Sequence, residues 1–115
     1  MYYFQEHGPF VFVENSTNLI NNKYSWTKFA NIIYLESPAG VGFSTCGSYK
    51  CSSNDQKSAD ENLLAVLSFF KKFPHFRKND FYIAGESYAG VYVPYLAKKI
   101  LEYNKDAQNN SNVTV

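Results

Sequence analysis

The apolar residues of this chain fall into two kinds of pattern, and each predicts a different element. The first is the short unbroken run, seen at Phe10-Val-Phe-Val13, Ile32-Ile-Tyr-Leu35 and Phe81-Tyr-Ile-Ala84. Blocks of this length without polar alternation are expected of strands, and the second and third are predicted to be covered on both faces. The other pattern is periodic. Ala59, Leu63, Val66, Leu67, Phe70 and Phe73 recur at three- and four-residue spacing and so line one face of a helix. Ser58-Ala-Asp-Glu61 reads as a capping box at its start, with Ser58 accepting from a first-turn N–H and Glu61 reaching back. Pro74 stops the helix, and Lys71 and Lys72 suit the negative end of its dipole.

A second helix is predicted from about Tyr88 to Tyr103. Pro94 lies inside it, where the ring clashes with the carbonyl four residues earlier. That residue is Gly90, which can adjust, so a bend is expected there. Between these elements, Ser16 to Lys23 is a polar loop, Trp26 opens a further element and Ala39-Gly-Val-Gly42 is a turn. Ser44 to Lys57 is a second polar loop, and the Asn-rich stretch from Asn104 to Asn112 reads as a third on the surface. Strands alternating with helices place the chain in the α/β class, as a parallel sheet with crossover helices.

Composition narrows the partners. The chain has 115 residues, 45% hydrophobic and 18% aromatic, with a net charge of +1. No basic patch points to a nucleic-acid partner, and no apolar run approaches the roughly 20 residues that span a bilayer. The length allows one small domain. No metal-ligand cluster, phosphate loop or cofactor motif is present, and neither metal nor cofactor is expected. The N-terminus is not a secretory signal: it lacks a basic region, and Glu6, His7 and Glu14 interrupt any apolar core. Yet three N-x-[ST] sequons occur, at Asn15, Asn109 and Asn112, as glycosylation sites or as a by-product of abundant Asn. Cys46 and Cys51, spaced C-x4-C in a polar loop, can close a small disulfide ring or stand as two thiols.

The chemistry centres on Gly85-Glu-Ser-Tyr-Ala-Gly90, a G-x-S-x-G pattern between a predicted strand and a predicted helix. Two glycines there let strand and helix approach closely at a strained turn that exposes the Ser87 hydroxyl as a nucleophile. The helix behind it aims free N–H groups and its positive dipole end at the serine, and the backbone N–H of Tyr88 is a candidate oxyanion donor. A serine hydroxyl needs a base, usually a histidine held by a carboxylate. In this strand–turn–helix architecture the chain order is Ser, then Asp or Glu, then His. Glu102 and Asp106 follow Ser87, but no histidine does. His7 and His75 both precede it and read as a neighbour or surface residue and a solvated helix-end residue. The triad is incomplete within these residues.

Gly85-Glu-Ser-Tyr-Ala-Gly-Val-Tyr-Val-Pro94 resembles the active-serine segment of the serine carboxypeptidases, a branch of the α/β-hydrolases. Glu6-His-Gly-Pro-Phe10, the stretch from Ser25 through Glu36-Ser-Pro-Ala-Gly-Val-Gly-Phe-Ser44, Phe69-Phe-Lys-Lys-Phe-Pro74 and Asn79-Asp-Phe-Tyr-Ile83 match in the same order. The resemblance covers nearly the whole chain. It implies a partial α/β-hydrolase domain over residues 1–115, truncated at both ends, whose substrates are peptide or protein C-termini. It also implies that Glu6 and Glu86 pair near Ser87, within hydrogen-bond reach, and bind the substrate's terminal carboxylate. Two adjacent carboxyls cannot both ionise cheaply, so the pair shares a proton, donates a hydrogen bond and favours acid pH.

By the same resemblance, the second oxyanion donor belongs to a Gly-rich loop upstream of Met1, and the usual address is secretory, lysosomal, vacuolar or extracellular. The 115 residues alone are then expected to be inert. A related acyltransferase and a non-catalytic truncated product are the alternatives. Gln5 reads as a pocket or a surface residue, and Trp26, Phe29 and Tyr34 as core aromatics. Glu36 reads as a structural hydrogen-bonding group, and Val91 carries no catalytic role.

Overall fold

The computed structural model describes residues 6–47, 51–109 and 114–115. Gln5 and Asn112, and the side chain of Asn109, lie outside them. The chain divides into two compact units, Met1–Leu35 and Glu36–Val115.

The first unit is built on a hairpin. Strand β1 (Phe10–Phe12) pairs antiparallel with β2 (Leu19–Asn21), in the register Phe10 to Asn21 and Phe12 to Leu19. Part of the stretch expected to be a polar loop is therefore a strand. Leu19 and Ile20 supply too short an apolar run to stand out, and they become a strand only by pairing with β1. The connection turns at Asn15, whose φ of +56° is tolerated because a short polar side chain can bond locally in the left-handed region. A 3-10 turn follows at Trp26–Lys28, where Ser25 caps the Thr27 N–H. Trp26 and Phe29 were expected in a core but are exposed, Phe29 at 92%. Trp26 instead lays one face on the His7 ring, with centroids 4.6 Å apart.

The second unit packs two helices. Helix α1 (Asp55–Lys72) starts three residues before the predicted capping box. Asn54 is the cap, its Oδ1 accepting from the Lys57 N–H at 2.8 Å, with Asp55 at the positive end of the dipole. Ser58 is thereby drawn inside the first turn, where it is buried and its hydroxyl meets that of Ser53 at 2.7 Å. Glu61 pairs with Lys57 rather than reaching back. Lys71 and Lys72 fill the last turn, and Pro74 opens a 3-10 turn, Pro74–Lys78.

Helix α2 (Ala89–Asn109) keeps Pro94 inside it and runs six residues past the expected end at Tyr103. Asn104 through Asn109 are helical, not loop. The Asn104 carboxamide is satisfied elsewhere, donating to the Val115 carbonyl at 2.6 Å and accepting from its N–H at 2.8 Å. It therefore does not compete with the helix for its own backbone.

The core lies between the helices. Val66 and Phe70 of α1 meet Leu96 and Ile100 of α2, with Leu63, Phe69, Phe76, Ile83 and Val115 packed around them. Each large apolar side chain so buried contributes about 1.5–3 kcal/mol. Lys99 reaches across to Asp60 at 2.6 Å, and this hydrogen bond holds the Asp60 carboxyl below its ordinary value of 3.8.

The parallel sheet expected from the alternating elements is not formed by the described residues, whose one sheet is the antiparallel β1–β2 pair. Ile32–Leu35 and Phe81–Ala84 carry no strand, and Ile33, Leu35, Phe81 and Tyr82 are exposed. A central strand is held by neighbours on both edges, and neither run meets one among the described residues. No helix of the described residues is long and apolar enough to cross a membrane.

Candidate active site

The turn that carries Ser87 is tight. The Ala89 N–H donates to the Glu86 carbonyl and the Gly90 N–H to that of Ser87, both at 3.0 Å, and the Val91 N–H donates to Tyr88 at 2.9 Å. Ser87 itself sits at φ +58°, in the left-handed region. For an L-residue that conformation costs about 1–2 kcal/mol. The surrounding turn holds it there, and the side chain is exposed. Gly85 makes this geometry available. A Cβ there would collide with the Cβ of Ala89 and lie 3.4 Å from Cγ2 of Val93. The second glycine has no such role, since a Cβ at Gly90 would meet open space. Only Gly85 is required by packing.

Tyr88 follows, and its carbonyl accepts the first bonds of α2. Its own N–H has no acceptor among the described residues. It stands at the positive end of a 21-residue helix, one residue after an exposed serine hydroxyl. A free donor in that position can stabilise charge developing on an oxygen. The Tyr88 phenol donates to both carboxylate oxygens of Asp55, at 3.2 and 3.3 Å. That hydrogen bond, followed by the charge of Asp55, pushes the phenol above its ordinary value of 10.0.

No histidine accompanies the serine among the described residues of this unit. His75, its one described histidine, lies beyond the end of α1 opposite Asp55, with its ring 4.3 Å from that of Phe76. A helix of 18 residues spans about 27 Å. His75 is therefore remote from the serine turn. Glu86 is exposed on that turn.

Glu6 belongs to the other unit and is also exposed. Its backbone is held from within that unit. The buried Asn22 donates from Nδ2 to the carbonyls of Glu6 at 2.8 Å and Gly8 at 2.9 Å, while its Oδ1 accepts from the Tyr24 N–H at 2.9 Å. The His7 carbonyl accepts from the Trp26 N–H at 3.0 Å and the Ser25 hydroxyl at 3.3 Å. The His7 ring stacks with Trp26 and with Tyr34, and its Nδ1 is 2.9 Å from the Tyr34 hydroxyl.

Comparison with known proteins gives the family. The family model described as serine carboxypeptidase matches residues 3–114. The chain belongs to the serine carboxypeptidase family. It is 50% identical over 104 residues to serine carboxypeptidase 24 of Arabidopsis thaliana, covering 88% of this chain and 22% of that protein. It is 42% identical over 111 residues to a serine carboxypeptidase of Caenorhabditis elegans, covering 96% and 24%. The lysosomal protective protein of Mus musculus is 42% identical over 97 residues, covering 84% and 20%. The chain thus spans between 20% and 24% of the length of these relatives. Membership of this carboxypeptidase family implies an α/β-hydrolase fold.

Within this member of the family, the Glu36–Ser44 loop is tied to itself. The Glu36 carboxylate accepts from the Phe43 N–H, and its carbonyl accepts from the Ser44 hydroxyl at 2.6 Å. Gly42, at φ +55°, leaves room for that carboxylate, so Glu36 acts as a structural acceptor. A disulfide joins Cys46 to Cys51, with Cα atoms 5.6 Å apart, and packs on Gly40, where a Cβ would meet Cys51 Sγ. Asn15 is exposed in the hairpin connection, and Thr17 completes its sequon.

Two site residues were not found by reading the sequence. Asn22 sat inside a stretch read as a polar loop. Asp55 lies 33 residues from the tyrosine it touches. The cap at Asn54 could have placed Asp55 on the first turn of α1, but no local signal says what that turn faces.

Proposed function

We propose that the protein is a serine-type carboxypeptidase that releases the last residue of a peptide through an acyl-enzyme on Ser87. The observation that supports this best is the left-handed Ser87, held in a turn closed by Gly85 and followed by the Tyr88 N–H, which has no acceptor among the described residues.

In this reading Oγ of Ser87 attacks the carbonyl carbon of the C-terminal peptide bond as a base removes its proton. The carbonyl oxygen becomes anionic and takes a hydrogen bond from the Tyr88 N–H. Collapse breaks the C–N bond, and the leaving amine receives the proton from the base. Water then hydrolyses the Ser87 ester by the same route. Glu6 and Glu86 are the residues proposed to bind the substrate's terminal carboxylate. No histidine follows Ser87 within these 115 residues, so by themselves they are expected to be inert.

The address proposed is the secretory pathway or the lysosome, vacuole or exterior it leads to. The name of the mouse relative, the Cys46–Cys51 disulfide and the exposed Asn15 sequon support it.

The test uses the protein as expressed from its gene. Incubated with a peptide of known sequence at mildly acidic pH, it should shorten the peptide one residue at a time from the C-terminus. A fluorophosphonate should label Ser87 stoichiometrically, and Ser87→Ala should abolish both. Cleavage at internal bonds, or trimming that persists in Ser87→Ala, would reject the reading.

A further inference from the structure

The Glu6–Gly8 segment is unusual in how its backbone is held. It belongs to no strand, yet its carbonyls are taken up one after another by a single neighbouring segment. Asn22 donates to those of Glu6 and Gly8, the Ser25 hydroxyl and Trp26 N–H to that of His7, and the Asn22 N–H to that of Pro9 at 2.9 Å. Asn22 has only two carboxamide N–H groups, and both go to this segment. Its one carbonyl oxygen is used on Tyr24. Both donors are therefore committed, and at 8% exposure water offers them no substitute.

We infer that Asn22 is the positioning residue for Glu6: its carboxamide fixes where the Glu6 backbone stands, and so where its carboxylate is presented to a substrate's terminal carboxylate. The inference rests on the proposed carboxylate-binding role of Glu6. Recognition of a substrate carboxylate by a carboxyl group depends on a short, directed hydrogen bond. The Glu6 side chain is exposed and has several rotatable bonds, so the backbone beneath it must be rigid for that bond to be made repeatedly. Asp in place of Asn22 keeps the oxygen that caps Tyr24 but has no N–H. It would put a second acceptor against the carbonyls of Glu6 and Gly8, releasing the segment while leaving the cap intact.

The experiment compares Asn22→Asp, Glu6→Gln and the double variant in the protein as expressed from its gene. Each is assayed on one peptide with a free C-terminal carboxylate and on the same peptide amidated. Fluorophosphonate titration counts the folded molecules. The preference for the free acid, as a ratio of kcat/KM values, should fall about tenfold in Asn22→Asp, through KM rather than kcat. Glu6→Gln should lower the same ratio at least as far, and the double variant no further than Glu6→Gln alone.

A ratio unchanged in Asn22→Asp but lowered in Glu6→Gln would overturn the positioning role and leave the carboxylate reading standing. A ratio unchanged in Glu6→Gln, or no turnover in the unsubstituted protein, would overturn both. If Asn22→Asp yields no titratable enzyme, Asn22→Gln takes its place, keeping the donors but displacing them by one methylene. Loss of titratable enzyme in both would make Asn22 a folding residue and reject the proposal.

Discussion

Gly85 faces Ala89 across the Ser87 turn with no room between them for a methyl group. Gly90, the other glycine of the G-x-S-x-G pattern, faces open space. The two therefore predict opposite outcomes. Gly85→Ala should destabilise the protein by about 1–3 kcal/mol, because Ala89 is fixed by helix α2 and cannot move aside. Gly90→Ala should be neutral or stabilising by up to about 1 kcal/mol, since alanine is the better helix former. Denaturant melts of the two variants check this, and equal destabilisation would contradict it.

Ser87 carries backbone strain, at φ +58° in the left-handed region. Replacing it with glycine removes the penalty of a left-handed L-residue, offset in part by glycine's greater freedom in the unfolded chain. Ser87→Gly should therefore raise stability by up to about 1 kcal/mol while abolishing fluorophosphonate labelling and peptide trimming. A melt showing Ser87→Gly clearly less stable than Ser87→Ala would argue that the backbone is relaxed at φ +58°.

The Tyr88 phenol is neutral when it donates to Asp55, and ionising it would both lose that bond and set two negative charges together. Its folded value therefore lies above 10.0. The stability it contributes is fully present below the unfolded value and is lost as pH rises through the raised folded value. In Asp55→Asn the phenol should titrate at lower pH than in the parent. Ultraviolet titration of each protein against its Tyr88→Phe partner isolates this residue, and identical curves would remove Asp55 as the cause.

Phe70 is 4% exposed between α1 and α2, its ring edge-on to Phe81 at 5.4 Å. Phe70→Ala should cost about 3–5 kcal/mol. Leu64, 64% exposed on the same helix, should tolerate alanine within about 0.5 kcal/mol. Because Phe81 leads into the serine turn, Phe70→Ala should also slow labelling of Ser87, measured as a rate per folded molecule.

What the amino-acid order settled by itself is local. Three- and four-residue spacing named the face of α1 that packs, with Ala59, Val66 and Phe70 all buried. Pro74 marked where that helix ends, and the glycine–serine pattern marked the turn where Ser87 would be strained. Such features depend on residues within one or two turns of each other, and neighbours in sequence are neighbours in space at that range. Competition between adjacent signals was harder to read. Asn54 outranked Ser58 as the cap of α1 because it lies ahead of the first turn, with Asp55 behind it on the positive dipole end.

Contacts over longer separations were decided only by the tertiary structure. Leu19 and Ile20 became a strand because β1 offered an edge, while the more apolar Ile32–Leu35 and Phe81–Ala84 found none among the described residues. Asn104 stayed helical because Val115 satisfied its carboxamide. Asn22 reaches back 16 residues to Glu6, and Asp55 meets Tyr88 across the helix pair. A polar side chain carries the same donors and acceptors wherever it stands, so its sequence position states what it can bond. Only the fold determines which distant backbone or hydroxyl comes within three ångströms of it.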